Sequence, residues 1–456
     1  MSLSVIILAA GQGMRMKSKT SKVLHELGGI SMLQRVVNTA QSLGADRIHV
    51  VYGHQGDQIK KVCADLPVNC VEQKQQLGTA HAVQQALPYC EPDDQVLVLC
   101  ADVPLIQSST LRDFISKVDE NNIGLLTAFF KDPTGFGRII RNVQNRVTAI
   151  VEHKDASEDE RKIHEINTGI MCAHVKLFNH YLSQIKNHNA QNEFYLTDLI
   201  KFGVADGRSI ADKVAEVAEE VYGINDRLQL AQLERYYQKQ QAKQLCLQGV
   251  TVMDPDRLDI RGELIIDADV CLDVNVIIEG KVKIGAGSKI GANVILKNLT
   301  LGENVEILPN SILEDCVIEN DCSIGPFARI RPGTQLKAHA RIGNFVEVKN
   351  SEIGPNSKVN HLSYVGDATL GRDVNIGAGT ITCNYDGANK HRTTIEDEVF
   401  IGSNSALVAP VTIQKGATIG AGSVITKNAP AQELTLTRVK QLSFASWQRP
   451  TKAKKS

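Results

Sequence analysis

Aliphatic residues recur every six positions through the second half of the chain. One run is Ile260, Ile266, Leu272, Ile278, Ile284, Ile290 and Leu296. A five-residue step leads to Leu301 and Ile307, and another leads to Ile312, Ile318, Ile324, Ile330, Leu336, Ile342 and Val348. Ile353, Val359 and Val365 follow, then Leu370 and Ile376, and the period resumes from Ile395 to Ile425. Four residues after each aliphatic, from Ile284 onward, stands a small or β-branched residue, as at Ser288, Val294, Cys316, Cys322, Ala340, Thr380 and Ser423. A period of six fits neither a helix nor an alternating strand. It predicts a coil with three flat faces, the aliphatic filling the interior and the small residue sitting where the chain turns a corner. Glycine often follows the aliphatic (Gly285, Gly291, Gly325, Gly343, Gly354, Gly377, Gly402, Gly420), where the turn is expected to need unusual dihedrals. The polar break at 382–394 is expected to leave the wall as an exposed loop.

The first half has a different rhythm. Apolar strand candidates at 5–8, 48–51, 95–99 and 123–128 alternate with helical patterns at 32–43 and 79–87. Such alternation predicts an α/β domain with a mostly parallel sheet covered by helices, its ligands beyond the carboxyl ends of the strands. The segment 226–248, rich in Gln, Leu, Lys and Glu, reads as a connecting helix of roughly 35 Å that would hold two sites apart. The expected organisation is a domain at 1–225, this linker, and a repeat domain at 249–456.

Composition sharpens the division. Of 35 glycines, 15 lie in residues 1–248 and 20 in the shorter remainder, which the repeat explains. The formal net charge is −1, with 50 basic and 51 acidic residues, and so argues against a nucleic-acid coat or a polybasic membrane binder. No apolar run reaches the roughly 18–20 residues of a membrane span, and the apolar start reads as a first strand, not a leader. The ten cysteines form no CxxC pair, as expected for free thiols in a reducing cytoplasm. The tail from Arg449 to Ser456 is basic and reads as frayed and solvated.

Candidate chemistry begins at VIILAAGQGMRM (5–16), a strand entering a glycine loop, followed by Arg15, Lys17, Lys19 and Lys22. Backbone N–H groups and cations at such a loop suit phosphate, although a tight turn with solvated lysines has the same look. Asp102 follows the strand candidate at 95–99 and would either hold Mg²⁺ or cap the segment at Ser108. Gln73, Leu77-Gly78-Thr79, Gly135-Phe136-Gly137-Arg138, Glu152, Asn167 and Asn225 add polar or glycine loops after apolar segments.

The repeat resembles the left-handed parallel β-helix of the hexapeptide-repeat transferases, at about ten coils, and in that family the assembly is a trimer. Across the whole chain, LAAGxGxRM, Lys22-Val23-Leu24-His25, Gln76-Leu77-Gly78-Thr79, Asp102-Val103-Pro104-Leu105, Ile166-Asn167-Thr168-Gly169 and Asn225-Asp226-Arg227-Leu228 resemble the bacterial bifunctional N-acetylglucosamine-1-phosphate uridylyltransferases and glucosamine-1-phosphate acetyltransferases. The resemblance implies a Rossmann-like nucleotidyltransferase domain followed by a β-helix. It implies acetylation of glucosamine-1-phosphate by acetyl-CoA, then transfer of UMP from UTP to give UDP-N-acetylglucosamine and pyrophosphate. It further implies a cytoplasmic homotrimer that neither binds nucleic acid nor inserts into a membrane.

Carried over residue by residue, Arg15 and Lys22 would neutralise phosphates, with Mg²⁺ on Asp102 and Asn225. Leu8, Ala9, Ala10, Gly11, Gln73, Gly78 and Thr79 would hold the uridine side, and Gly137, Glu152 and Asn167 the sugar. In the repeat domain His361 would be the base and Arg331, Lys349, Tyr364 and Asn375 would bind the sugar phosphate. Ala378, Asn384, Tyr385, Ser403, Ala421 and Arg438 would line the acetyl-CoA groove, and Glu347 would orient His361. Two positions depart from the pattern: Met14 stands where threonine is common, and Cys100-Ala101-Asp102 replaces Tyr-Gly-Asp, adding a methyl group where backbone would approach the nucleotide. Rival readings are a nucleotidyltransferase whose β-helix serves assembly only, and a non-catalytic interaction protein; Arg15, Lys22, Asp102, His361 and Lys349 speak against them.

Overall fold

The computed structural model describes residues 2–450. They form two compact units, one ending at Gln240 and the other beginning at Gln241.

In the first unit the long path of the sheet runs Asn69–Glu72, Arg47–Tyr52, Leu3–Ala9, Gln95–Cys100, Glu165–His174, Ile123–Phe129, Ile210–Val214. All neighbours are parallel except Glu165–His174, which runs against both of its own. The central strands are apolar on both faces because helices cover both: Val5, Ile6, Ile7, Val96, Leu97, Val98 and Leu99 are fully buried. Each expected strand is present and one to three residues longer. The helix Met32–Ser42 buries Met32, Leu33, Val36, Val37 and Ala40, one stripe at helical spacing, and Ser31 caps it by accepting from the Gln34 N–H. From Leu3–Ala9 the chain steps outward twice, then returns to form Gln95–Cys100 on the other side. That reversal opens a crevice beyond the carboxyl ends of these two strands. The connecting helix spans Arg227–Leu247, one residue inside each expected end.

The second unit is a parallel β-helix. One face is an 11-stranded parallel sheet; the other two belong to a 16-stranded sheet joined through the long strands Leu258–Ile266, Val276–Ile284 and Ile295–Leu301. Cys271 pairs with Lys289 and Lys289 with Glu306, so these coils take 18 and 17 residues, about three hexapeptides, whereas the coil with the insertion is longer, Asn375 pairing with Phe400. The predicted interior aliphatics form one continuous core. One is out of phase. Ile312 is 37% exposed and Leu313 fully buried, so that five-residue step falls after 313, not before 312. The small slot is as expected, with Cys316 and Cys322 buried in it.

The glycine expectation needs correcting. Among the glycines that follow an aliphatic, Gly325 has a left-handed φ of 104°, but the other seven do not. Their requirement is steric: a Cβ on Gly343 would lie 1.9 Å from the Asn360 carbonyl oxygen, and one on Gly354 2.1 Å from that of Gly371. The left-handed corner falls two residues later and is taken mostly by Asn, Asp or Gly, as at Asn293 and Asn310 (φ 60° and 63°). All ten cysteines are free thiols. Among the described residues, no helix is long and apolar enough to cross a membrane. Arg449 and Pro450 are exposed, and the rest of the basic tail, 451–456, lies outside the described residues.

Candidate active sites

In the first unit the crevice gathers three predicted residues around one point. Lys22 lies in a short turn after the glycine loop, and its Nζ is 2.5 Å from Asp102 Oδ2 and 2.8 Å from Asn225 Oδ1. The Ile224 N–H donates to the Asp102 carbonyl, which ties the loop carrying Asn225 to the end of the sheet. Asp102 therefore does not cap the helix at Ser108, whose cap position is Gln107. Gly13 adopts a left-handed φ of 62°, and a Cβ there would meet Lys22 Cβ at 2.6 Å, so the glycine is what lets the loop lie against Lys22.

The structure resolves both departures from the expected pattern. Ala101 is fully buried in the apolar core, and its N–H donates to the Leu8 carbonyl, so its methyl group packs inward. Met14 is 79% exposed. Arg15 and Asn225 line a cavity of about 820 Å³ walled by Phe130, Phe136 and Tyr222.

The other predicted residues form two local groups. Gln73 is buried and donates to the Gly78 carbonyl at 3.1 Å. A Cβ on Gly78 would meet the Phe194 carbonyl oxygen at 2.5 Å, and Thr79 Oγ1 accepts from the Leu196 N–H. Segment 194–196 thus locks the Gly78-Thr79 turn, a role with no signal in the sequence because the partners are over a hundred residues apart. Gly137, Glu152 and Asn167 also come together. The Asn167 N–H donates to the Gly137 carbonyl, and a Cβ on Gly137 would come 3.5 Å from the Glu152 carboxylate oxygens. Burial pushes the Glu152 carboxyl above its usual range, although Thr197 Oγ1 donates to it at 3.3 Å.

The second unit carries the other set on two adjoining faces. On one, Asn344 pairs with His361, and the same outward row continues coil by coil through Ala378, Ser403 and Ala421. Backbone bonds fix that order: Gly379 N–H to the His361 carbonyl, Asn404 to Ala378, Gly422 to Ser403. Three parallel-strand steps of ~4.8 Å make a row about 14 Å long from His361 to Ala421. Beyond His361 its side chains are small, and the Arg438 side chain lies over Gly420 and Gly422 at the far end. Asn375 stands on the same face, paired with Lys358.

Around the corner at Leu362 and Ser363, the strand Tyr364–Gly366 begins the next face. There Arg331 Nη1 bonds Glu347 Oε1 at 2.6 Å, and Glu347 pairs in register with Tyr364. The Lys390 ammonium, with the Arg331 guanidinium, pushes Lys349 below the usual lysine range, so three cations share one place. Lys390 comes from the inserted loop and was missed in the sequence, where nothing tied it to Lys349. Glu347 does not orient His361: its partner is Arg331, and the histidine Nδ1 lies 3.0 Å from Asn344 Oδ1. In the loop itself Tyr385 is exposed, whereas Asn384 is only 8% exposed and donates to Asp367.

Family models match parts of both units. Residues 5–174 match the MobA-like NTP transferase domain, 260–360 the GMPPB C-terminal domain, and 392–427 the bacterial transferase hexapeptide (six repeats). The bifunctional protein GlmU of Coxiella burnetii is 54% identical over 453 residues, 99% of this chain and 100% of that one. That of Marinobacter nauticus is 51% identical over 451 residues, 99% of each chain. A solved UDP-glucose pyrophosphorylase, complexed with UDP-glucose, aligns with 53% of this chain and 100% of its own at 16% identity and a TM-score of 0.44. With full-length relatives at this identity, the chain belongs to the family of bifunctional protein GlmU, which acetylates glucosamine-1-phosphate and uridylylates N-acetylglucosamine-1-phosphate.

Proposed function

We propose that the two reactions run on the two residue sets above, acetyl transfer on the β-helix and uridylyl transfer in the crevice. The observation that carries this is the convergence of Lys22, Asp102 and Asn225 in one unit, together with the row of small residues that starts at His361 in the other.

In acetyl transfer the amine of glucosamine-1-phosphate attacks the thioester carbonyl of acetyl-CoA. The new N–C bond forms, the C–S bond breaks, and CoA leaves as the thiolate, which becomes the thiol by taking up the proton that the base has removed from the amine. His361 takes the proton that the amine loses, which requires the imidazole to be neutral. Arg331 and Lys349 hold the sugar phosphate, Arg331 through its planar fork and Lys349 as a point charge, with Tyr364 and Asn375 at the sugar. Ala378, Ser403 and Ala421 floor the acetyl-CoA groove, Tyr385 and Asn384 flank it, and Arg438 meets the phosphates.

In uridylyl transfer an oxygen of the sugar phosphate attacks the α-phosphorus of UTP and pyrophosphate leaves. This chemistry needs positioning and charge neutralisation more than covalent help. Arg15 and Lys22 supply positive charge, Leu8 to Gly11, Gln73, Gly78 and Thr79 hold the uridine side, and Gly137, Glu152 and Asn167 hold the sugar. Asp102 and Asn225 would hold Mg²⁺, which supplies charge neutralisation on the phosphates. The donor set fits: two oxygens converge on one cation, here the Lys22 ammonium, and magnesium takes oxygen ligands while keeping waters. Among the described residues no cluster of three His, Cys, Asp or Glu is present, so phosphate and water would complete the shell.

The hexapeptide repeats are compatible with oligomerisation, and we read the assembly as a homotrimer. His361 and Asn375 lie on one face, while Tyr364, Arg331 and Lys349 lie on the next, and two faces of a three-sided coil turn away from each other. A second copy would bring the missing face opposite. Co-assembly of His361→Ala with Lys349→Ala chains should then restore part of the acetyl transfer that each lacks alone; no recovery contradicts shared sites. Free cysteines throughout support a reducing compartment, the cytoplasm. The overall test is one incubation with glucosamine-1-phosphate, acetyl-CoA, UTP and Mg²⁺, read by product mass. UDP-N-acetylglucosamine, CoA and pyrophosphate are expected, and the absence of both acetylated and UDP-linked products would favour an interaction protein.

A further inference from the structure

A histidine that takes a proton at one ring nitrogen must keep that nitrogen bare, and the other nitrogen decides whether it does. His361 ends the strand Lys358–His361 and is exposed on the outward row. Its Nδ1 faces Asn344 Oδ1 at 3.0 Å. The contact is held by the backbone, because Asn344 and His361 are register partners and the Leu362 N–H donates to the Asn344 carbonyl. The charged groups on these strands are Arg341 and Lys358, themselves paired, and the next coil brings the neutral Asn375 and Ala378. Glu347 is engaged by Arg331 on the neighbouring face.

We propose that Asn344 is the positioning residue of the acetyl-transfer site: its amide oxygen accepts from the Nδ1–H of His361, fixing the tautomer in which Nε2 is the proton acceptor. This rests on His361 being the base. An amide oxygen only accepts, so the proton on Nδ1 is required and Nε2 is left with its lone pair. The amide is also neutral. A carboxylate in its place would orient the ring equally well but would favour the imidazolium, and a histidine already carrying its proton cannot take the proton of the amine. The arrangement selects the tautomer while leaving the ring free to be neutral.

Three variants test this in the full-length enzyme, with uridylyl transfer from UTP to N-acetylglucosamine-1-phosphate as a control for folding. Asn344→Leu removes the acceptor at similar volume. The expected result is a fall in kcat of acetyl transfer of about 10–100-fold, with KM for both substrates nearly unchanged, the range for removing a group that orients a functional histidine. Asn344→Asp keeps an acceptor and should retain most of the activity at alkaline pH, with the acid limb of its kcat/KM profile displaced to higher pH. An Asn344→Asp profile that superimposes on that of the unmodified enzyme would overturn the proposal, as would an Asn344→Leu enzyme with unchanged kcat. His361→Ala separates the two levels. If it keeps acetyl transfer, the base assignment fails; if it loses acetyl transfer while the Asn344 variants behave as the unmodified enzyme, only the positioning role fails.

Discussion

Gly343 shows how little room the coil leaves beside the row that holds His361. It immediately precedes Asn344, and a Cβ at this position would lie 1.9 Å from the Asn360 carbonyl oxygen, a backbone atom that cannot swing aside. Gly343→Ala should therefore lower the melting temperature of the repeat unit and reduce acetyl transfer while uridylyl transfer persists. Equal activity and equal melting would refute the steric account. Glu152 predicts the opposite balance. Burial raises its native pKa above the ordinary 4.5, so between that value and the native one the unfolded chain has lost a proton that the native chain keeps. Stability contributed by this group falls as pH rises through that window. Glu152→Gln should then melt higher than the unmodified protein at neutral pH, show no such gain well below pH 4.5, and bind the sugar substrate more weakly. A lower melting temperature at neutral pH would contradict this reading. At this scale motifs picked out Lys22, Asp102 and Asn225, which the structure brings together, and His361, whose role is the one proposed above. The sequence was silent on partners such as Asn344, Lys390 and Leu196, which meet their targets only after the chain has coiled or folded back.

At the scale of elements, hydrophobic periodicity carried most of the information because burial acts on every turn of the repeat. The strands and helices of the first unit lie within one or two residues of the sequence pattern for the same reason. The error at Ile312 came from two adjacent aliphatics, Ile312 and Leu313, either of which satisfies the period. The glycine error had another source: close approach between coils is a tertiary distance, and it leaves no mark that separates it from a dihedral requirement. The inserted loop was readable as a break, but not what holds it. Asp386 accepts from the Ala388 and Asn389 N–H groups and lies 2.7 Å from His391 Nε2. Those bonds, the backbone donation from Asn389 foremost, hold its carboxyl well below the usual value of 3.8. The stabilisation is thus fully present above that value and lost only as pH falls through the depressed one, so mild acid should leave the loop closed. Asp386→Asn should loosen it throughout the range in which Asp386 is ionised, raising KM for acetyl-CoA with little change in kcat and quickening proteolytic nicking between 384 and 392. An unchanged KM and an unchanged digestion pattern would show that the loop is held otherwise.

At the scale of the molecule, two folds with unrelated packing carry two sets of chemistry on one chain. In the proposed reading the first builds its site at the reversal of an α/β sheet, where loops after separate strands meet, and the second lays its site along rows of a solenoid, which can lengthen without enlarging any one core. The central claim is that these sites work independently, and paired assays of two single variants test it most directly. Asp102→Asn should abolish formation of UDP-N-acetylglucosamine and spare acetylation of glucosamine-1-phosphate, and His361→Ala should do the reverse. Loss of both activities in either variant, with the protein still folded, would contradict the account.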